Sequence, residues 1–514
     1  MQVGKVRSRG GWWHLPLAYA DAARLAPRAF ATALWWRILG KRVRARGHFA
    51  PLLSASRHAY AVWLSREALP AGSGTGPAIL ALVAPGAGRA ATLASLAAES
   101  VPVIGNAADA APGSWLLPLY PGDVLATGAA ALYRAATADT AADILYADDD
   151  LLVAGRRTGP HFKPGWNAEL FAHHDYLAGT ALLRARDSLV GSDAAALLRA
   201  AIAASDQPPQ HLPHVLHHRH ARPAPTLPPR PLAVDRQALP PVSIVIPTRN
   251  RVDLLRQVTD GLARTDYPAT EIIIVDNGSD DPATLRWLSE WAARDPACHI
   301  VLPQPGPFNY SALNNHAVRQ ATGELVCLLN NDIEMIGPDW LAIMAQQALR
   351  PEVGAVGARL LYPDGRIQHA GVVMGVGNAA GHAHRFLRPE VEGWHHRHSL
   401  PHFVSAVTAA CLVVRRDRFE AVSGLDEANF AVAFNDVDLC LRLNQRGWQS
   451  LYEPRATLVH HESVSRGLDR DPVGAARFAG ELAALKRIWG TETLVDPWHH
   501  PELSRATERF SVGL

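Results

Sequence analysis

The chain changes character near residue 241, where short apolar runs begin to alternate with amphipathic stretches. Val242-Ser243-Ile244-Val245-Ile246, Glu271-Ile272-Ile273-Ile274-Val275, His299-Ile300-Val301-Leu302 and Leu325-Val326-Cys327-Leu328-Leu329 are each four or five residues long and do not alternate with polar residues. Such runs predict strands buried on both faces, as in a parallel sheet. Between them, Asp253 to Leu262, Pro282 to Ala293 and Ala312 to Ala321 carry helical spacing. Proline stands early in the second, where a helix tolerates it. Strand and helix alternating at this distance predict an α/β fold with a doubly wound, mostly parallel sheet.

Three of these strands end in polar clusters: Pro247-Thr248-Arg249-Asn250, Asp276-Asn277-Gly278-Ser279 and Asn330-Asn331-Asp332. Each alone is ordinary turn chemistry. Together they lie on the sheet edge formed by the carboxyl ends of strands, where open α/β sheets bind ligands. Oxygen ligands at a strand end suit a hard divalent cation that holds phosphates. No glycine-rich phosphate loop follows the first strand, which counts against a nucleotidyltransferase.

Composition narrows the setting. A chain of 514 residues, 48% of them apolar, is folded and too long for one core, so two or three domains are expected. The net charge of +2 carries no nucleic-acid signal. The four cysteines form no Cys-x-x-Cys pair and no disulfide framework, which points to a reducing compartment. The longest apolar stretch, Phe403 to Val414, is broken by Ser405 and Thr408 and is shorter than the ~20 residues that span a bilayer. The N-terminal stretch holds Trp12, Trp13, His14, Asp21 and several arginines rather than the apolar core of a secretion signal.

Residues 1–50 are basic and aromatic, with Leu34-Trp35-Trp36-Arg37-Ile38-Leu39 followed by Lys41, Arg42, Arg44 and Arg46. Two readings stay open: a helix lying in a membrane interface, or an ordinary helix packed on the first domain. Proline is dense between Gln207 and Pro231, which sets a linker at residues 222–240. The expected organisation is a basic segment at 1–50, a first domain at 51–221, the linker, a second domain at 241–500 and a tail at 501–514.

The second domain resembles a family 2 glycosyltransferase with a GT-A fold, in the branch that builds bacterial surface polysaccharides such as O-antigen and includes rhamnosyltransferase-like enzymes. The resemblance runs through the three strand-end clusters, Ser405 to Cys411, Gly424-Leu425-Asp426-Glu427, Phe434 to Leu439, and His460-His461-Glu462-Ser463. It implies an inverting transferase that moves a sugar from a nucleoside diphosphate to a polysaccharide or lipid-linked glycan acceptor. The alternative is a non-catalytic carbohydrate-binding or scaffold protein of a polysaccharide assembly complex. The implied setting is the cytoplasm, or the inner face of a bacterial membrane with peripheral contact.

The resemblance also implies roles. Pro247, Thr248, Asn250, Asp276, Asn277, Asn315, Asn330 and Asn331 are expected to hold the nucleotide sugar. A carboxylate at Asp276 can accept from the imide N–H of uracil or thymine, which favours a UDP or dTDP donor. Asn330-Asn331-Asp332 matches the family's Asp-x-Asp. With Asn330 in first place, Asp332 is the ionised member and is expected to hold a divalent Mg or Mn together with the donor's diphosphate. His460 matches a position that completes the metal shell in some relatives, and the adjacent His461 stays an alternative. Asp436 is expected to take the acceptor's proton. Asp438 and Trp394 are placed on the acceptor side, Trp394 within a mobile loop from Gly371 to Pro401 that is rich in glycine and histidine.

Residues 51–221 resemble a worn, inactive copy of the same fold. Trp115 to Leu125 sits where the apolar strand and Asp-x-Asp would be, with Asp123 alone remaining. Gly191-Ser192-Asp193 falls at the base position, and His217-His218 mirrors His460-His461. Asp148-Asp149-Asp150 is expected to be a solvated turn. The roles open to this domain are binding the acceptor, positioning the second domain, or forming a homodimer.

Overall fold

The computed structural model describes residues 13–70, 72, 74–191, 193–462 and 472–514, so Trp12, Ser192 and Ser463 of the motifs above lie outside the described residues. The chain divides into two compact units: Met1–Thr226 with Pro497–Thr507 and Ser511–Leu514, and Leu227–Asp496 with Glu508–Phe510.

The second unit is built on a mixed sheet. From one edge its strands run His299–Pro303, Thr270–Asp276, Val242–Thr248, Leu325–Leu329, Cys411–Arg415, Val353–Leu361, Gln449–His460 and Ile333–Met335. The first four are mutually parallel. Cys411–Arg415 is antiparallel to both neighbours, Gln449–His460 returns parallel to Val353–Leu361, and Ile333–Met335 closes the edge antiparallel. Every residue of Leu325–Leu329 is fully buried, which is why that run shows no alternation. The helix Val252–Ala263 buries Leu254, Leu255, Val258 and Leu262, one stripe of a 3.6-residue period. The helix Pro282–Arg294 starts on Asp281, whose carboxylate accepts from Thr284 N at 2.9 Å. The turn at Gly278 has φ +75°, a conformation glycine adopts without strain.

The first unit repeats this topology with one strand fewer. Its order is Val103–Ile104, Ile79–Val83, Trp115–Leu119, Ala181–Arg184, Ile144–Val153, Gln210–Arg219 and Val124–Leu125. The pairings follow the same sequence of parallel, parallel, antiparallel, antiparallel, parallel and antiparallel. The GT-A-like second copy expected from the sequence is therefore present. Val124 pairs with His218, as Ile333 pairs with His460. The structural counterpart of His460 is thus His218, one residue along from the match of His217 suggested by the sequence. A slip of one residue in a strand exchanges its two faces.

The acidic triple is a correction. Asp148, Asp149 and Asp150 are all fully buried within the strand Ile144–Val153, not in a solvated turn. Each is compensated from distant sequence. Asp148 meets His211 (2.8 Å) and His500 (2.7 Å), Asp149 meets Lys163 (2.8 Å) and Arg222, and Asp150 meets Arg157 (2.6 Å) and His218 (2.7 Å). Burial alone would push the Asp149 carboxyl up; Lys163, Arg222 and Arg219 reverse this and hold it well below the carboxylate range. The acids read as a turn because unpaired buried charge is so costly, and the sequence does not show that Arg157, Lys163 and the more distant cations fold back onto them.

Removing one partner of this fully buried cluster should be severe. Asp149→Ala leaves Lys163, also fully buried, without its carboxylate, and is expected to cost ~3–5 kcal/mol in urea denaturation. Asp149→Leu combined with Lys163→Met should recover most of that loss. A single variant within about 1 kcal/mol of wild type would show that the pair does not hold the sheet.

Candidate functional site

The carboxyl ends of the strands Val242–Thr248 and Leu325–Leu329 open into a cleft of about 660 Å³, in the range of small-molecule sites. Pro247, Thr248, Asn250, Asn277, Asn330, Asn331, Asp332, Asp436 and His460 all line it. Asp276 closes the end of its strand just behind Asn277, where its carboxylate accepts from Ser279 N at 3.0 Å.

The pairing of Ile333 with His460 brings His460 to Asp332, whose Oδ1 lies 3.1 Å from His460 Nε2. The hydrogen-bond network assigns the protons. Burial would push Glu462 up, but Arg385 and Gln368 reverse this and keep it below the usual carboxylate range, so it is an acceptor only. Gln368 Nε2 donates to it at 3.1 Å, which turns Gln368 Oε1 toward His460 Nδ1 at 2.7 Å. His460 Nδ1 therefore carries a proton, and in the neutral imidazole Nε2 presents a lone pair. Asn330 Nδ2 lies 3.4 Å from that lone pair. Asp332 Oδ1 is buried and accepts no hydrogen bond. A carboxylate oxygen and an imidazole lone pair this close repel unless a cation lies between them, so the pair fits a metal's oxygen and nitrogen ligands. His461 turns away and pairs with Glu334 at 2.8 Å, which favours His460 of the two alternatives.

The neighbouring amides orient. Asn331 Nδ2 donates to Thr248 Oγ1 at 3.1 Å. Asn250 braces the first loop by accepting from Asp280 N and Asp281 N, both at 3.0 Å. Asn277 donates to Gln304 O at 2.9 Å, while its buried Oδ1 has no donor. Arg249, exposed at the cleft wall, is a cation without an ion pair among the described residues.

Asp436 stands in the first turn of the helix Asn435–Gln445 and accepts from Val437 N (2.8 Å) and Ala409 N (3.1 Å). Loss of water raises its carboxyl above the ordinary value, and these backbone donors offset only part of the rise. Burial raises the neighbouring Tyr310 phenol too, with Asp436's charge adding to it. The result is a carboxylate poised to accept a proton beside a phenol that keeps its own.

Four expected site residues do not line this cleft: Asp276, at the end of its strand behind Asn277, and Asn315, Asp438 and Trp394. Asn315 clamps the turn at Gly424-Leu425: its Oδ1 accepts from Leu425 N (2.9 Å) and its Nδ2 donates to Leu425 O and Glu427 Oε1 (both 2.8 Å). Asp438 is buried, bonded to Arg442 (2.8 Å) and to Trp489 Nε1 (3.0 Å), so it holds its helix in place. Trp394 is half-buried and does not line the cleft. The stretch from Gly371 to Pro401 is packed rather than a free loop: Val372–Met374 pairs with Ala380–His382, and His384, Arg397 and His398 are buried. The same stretch does supply two cleft residues, His382 and Arg385. Gln368 and Tyr310 were not singled out from sequence, and Glu462, quoted there only within His460-His461-Glu462-Ser463, and Arg385, within the stretch from Gly371 to Pro401, were given no role of their own.

The first unit answers the same position internally. Asp123, the counterpart of Asp332, is held by Arg219 Nε (3.1 Å) and His220 N (2.9 Å), with Arg219 and Asp123 both buried. A guanidinium stands where a cation would otherwise be needed. Elsewhere in that unit, donor atoms of Asp148, His211 and His500 lie within 4.8 Å of one another. His500 Nδ1, however, accepts from Glu502 N at 3.0 Å, so its Nε2 carries the proton toward Asp148 and offers no lone pair.

Residues 243–411 match the model of the family described as glycosyl transferase family 2. An uncharacterized protein, y4gI, of Sinorhizobium fredii is 40% identical over 421 residues, covering 72% of this chain and 46% of that protein. The O-antigen biosynthesis protein RfbC of Myxococcus xanthus is 36% identical over 411 residues, covering 70% of this chain and 31% of that protein. The chain thus spans less than half the length of these two relatives. The N-acetylglucosaminyl-diphospho-decaprenol L-rhamnosyltransferase of Mycobacterium tuberculosis is 28% identical over 228 residues, 40% of this chain and 71% of that one. Among solved structures, the mannosyltransferase PcManGT from Pyrobaculum calidifontis in complex with GDP-Man and Mn2+ superposes with a TM-score of 0.38 at 20% identity, covering 53% of this chain and 70% of that one. That likeness is too slight to carry a residue role across.

The raised carboxyl of Asp436 has a thermodynamic signature. Where a folded-state pKa lies above the unfolded value, here 3.8, the fold binds the proton more tightly, and that stability fades as pH rises through the folded value. Relative to Asp436→Asn, wild type should gain stability as pH falls from neutral toward the ordinary carboxylate range, then gain no more below it. Urea denaturation across that window measures the difference. Wild type that instead loses stability relative to the variant as pH falls would mean that the site holds the carboxylate ionised.

Proposed function

Residues 243–411 make the second unit a family 2 glycosyltransferase domain, and from that premise we propose that it is a metal-dependent, inverting transferase. It moves a sugar from a UDP- or dTDP-type donor to a polysaccharide or lipid-linked glycan acceptor in cell-surface polysaccharide synthesis. The observation that carries the reading is the buried Asp332 oxygen facing the lone pair of His460 in a cleft of donor-sized volume. Names of relatives support the acceptor class: one acts in O-antigen biosynthesis, another transfers rhamnose to a diphospho-decaprenol-linked sugar.

In this reading Asp276, Asn277 and Thr248 hold the base and ribose, and the unmatched Asn277 Oδ1 accepts from the nucleoside. Asp332 and His460 would hold Mg or Mn, which when bound would supply positive charge beside the departing diphosphate. Arg249 adds a cation at the cleft wall. Asp436 takes the acceptor hydroxyl's proton as that oxygen bonds to the anomeric carbon and the bond from that carbon to the diphosphate oxygen breaks. Attack opposite the leaving group inverts the anomeric carbon. A carboxyl raised by loss of water is a better base than an ordinary one. Arg385 and His382 border the acceptor side.

The first unit is non-catalytic in this reading, because Arg219 occupies the cation position beside Asp123. It serves to bind acceptor, to position the second unit or to form a homodimer. Among the described residues no helix is long and apolar enough to cross a membrane. The reading places the protein in the cytoplasm, peripheral on the inner face of a bacterial membrane.

Asp436→Asn is expected to lower transfer by about 10²–10⁴-fold with donor binding retained. Asp332→Ala should abolish Mn2+-dependent donor binding in calorimetry and transfer with it. Near-wild-type transfer by either folded variant removes that residue from the mechanism. Wild-type protein that binds no nucleotide sugar in the presence of Mn2+ is the result expected of a scaffold instead.

A further inference from the structure

The helix Pro27–Ile38 has two apolar faces, and one of them has no partner among the described residues. Phe30, Ala33 and Trp36 face inward and pack with Ala18, Ala22, Ala45, Phe49 and Leu53. Ala31, Leu34, Trp35 and Ile38 recur at i, i+3, i+4 and i+7 and face solvent. Leu34 is 43% exposed, Trp35 58% and Ile38 69%, and Leu39 (48%) and Val43 (56%) continue the patch. Single exposed apolar side chains need no explanation, but a contiguous stripe of large ones does.

The charge around that stripe says what covers it. Residues 13–50 hold seven arginines and lysines against one aspartate, in a chain whose whole net charge is only +2. Arg28, Arg37, Arg42, Arg44 and Arg46 are exposed and make no ion pair among the described residues. Lys41 and Arg44 lie over the Trp36 ring, 5.3 and 4.5 Å from its centroid, so the cations sit at the border of the apolar stripe. A short helix with tryptophan and branched aliphatics on one face and unpaired cations at the flanks suits the boundary between lipid headgroups and acyl chains. Anionic headgroups supply the counter-charge that the protein itself lacks.

We propose that Leu34, Trp35, Ile38 and Leu39, with the cations at 37, 41, 42 and 44, dock the protein on a bilayer surface containing anionic phospholipid. The proposal names the surface for the peripheral membrane setting proposed above. Its observations lie in the first unit and are independent of the transfer chemistry.

The test is co-sedimentation of the full chain with vesicles of phosphatidylcholine alone, and with vesicles in which about a third of the lipid is phosphatidylglycerol. Binding is expected only to the anionic vesicles, falling by about tenfold or more as salt is raised and the charges are screened. Trp35→Ser with Ile38→Ser should weaken binding by about tenfold or more through lost apolar insertion, and Lys41→Glu with Arg42→Glu should abolish it. All four positions are exposed, so the melting temperature and donor binding should match wild type, which separates failure of docking from failure of the transferase reading. Equal binding to neutral vesicles, no binding to anionic ones, or double variants that bind like wild type would overturn the proposal. So would self-association in solution that the Trp35/Ile38 variant abolishes, since the stripe would then be a protein interface.

Discussion

The antiparallel register that sets Ile333 opposite His460 is the constraint on which the site depends. It places a histidine from the end of a long strand beside the carboxylate that ends the central one. Gln368 and Glu462 then fix the histidine's proton on the far nitrogen, leaving a base facing a base across 3.1 Å. Such a contact is unfavourable in the empty fold and becomes favourable around a cation. The first unit uses the same register at Val124 and His218 and reaches the opposite outcome, because Arg219 supplies the cation covalently. Two copies of one topology thus differ in whether the chain sets a guanidinium or a histidine beside the strand-end aspartate.

The same contrast governs how the two units handle buried charge. In the first, Asp148, Asp149 and Asp150 are matched by histidine, lysine and arginine, so charge serves the packing of the sheet. In the second, Asp332 has no lysine or arginine partner among the described residues, and Asp436 keeps a carboxyl raised by loss of water. Unmatched polar groups cost stability and persist where a ligand completes them. In the second cleft Asp332 Oδ1 and Asn277 Oδ1, both without a hydrogen bond, belong to residues that line one cavity.

Much of this was legible in the sequence. Fully buried strands have no alternation to hide, so Leu325–Leu329 and its parallel neighbours stood out, and their polar ends marked the cleft. Asp332 and Asp436 followed from motif chemistry. The choice between His460 and His461 did not, because strand register decides which of two adjacent side chains faces the aspartate. Asn315 carried the right chemistry in the wrong place: its amide satisfies the turn at Leu425. The acidic triple was misread because its cations come from as far away as His500. Gln368 was invisible for a similar reason, since a glutamine that fixes a tautomer looks like any other until its two partners are in view.

The central claim is that Asp332 and His460 hold a divalent metal which the first unit has replaced by Arg219. Anomalous diffraction from crystals grown with Mn2+ and a nucleoside diphosphate tests it most directly. The account predicts one manganese peak bonded to Asp332 Oδ1 and His460 Nε2, and none beside Asp123. A peak beside Asp123 or at Asp148, or a nucleotide bound in the cleft with no manganese at Asp332, would contradict it.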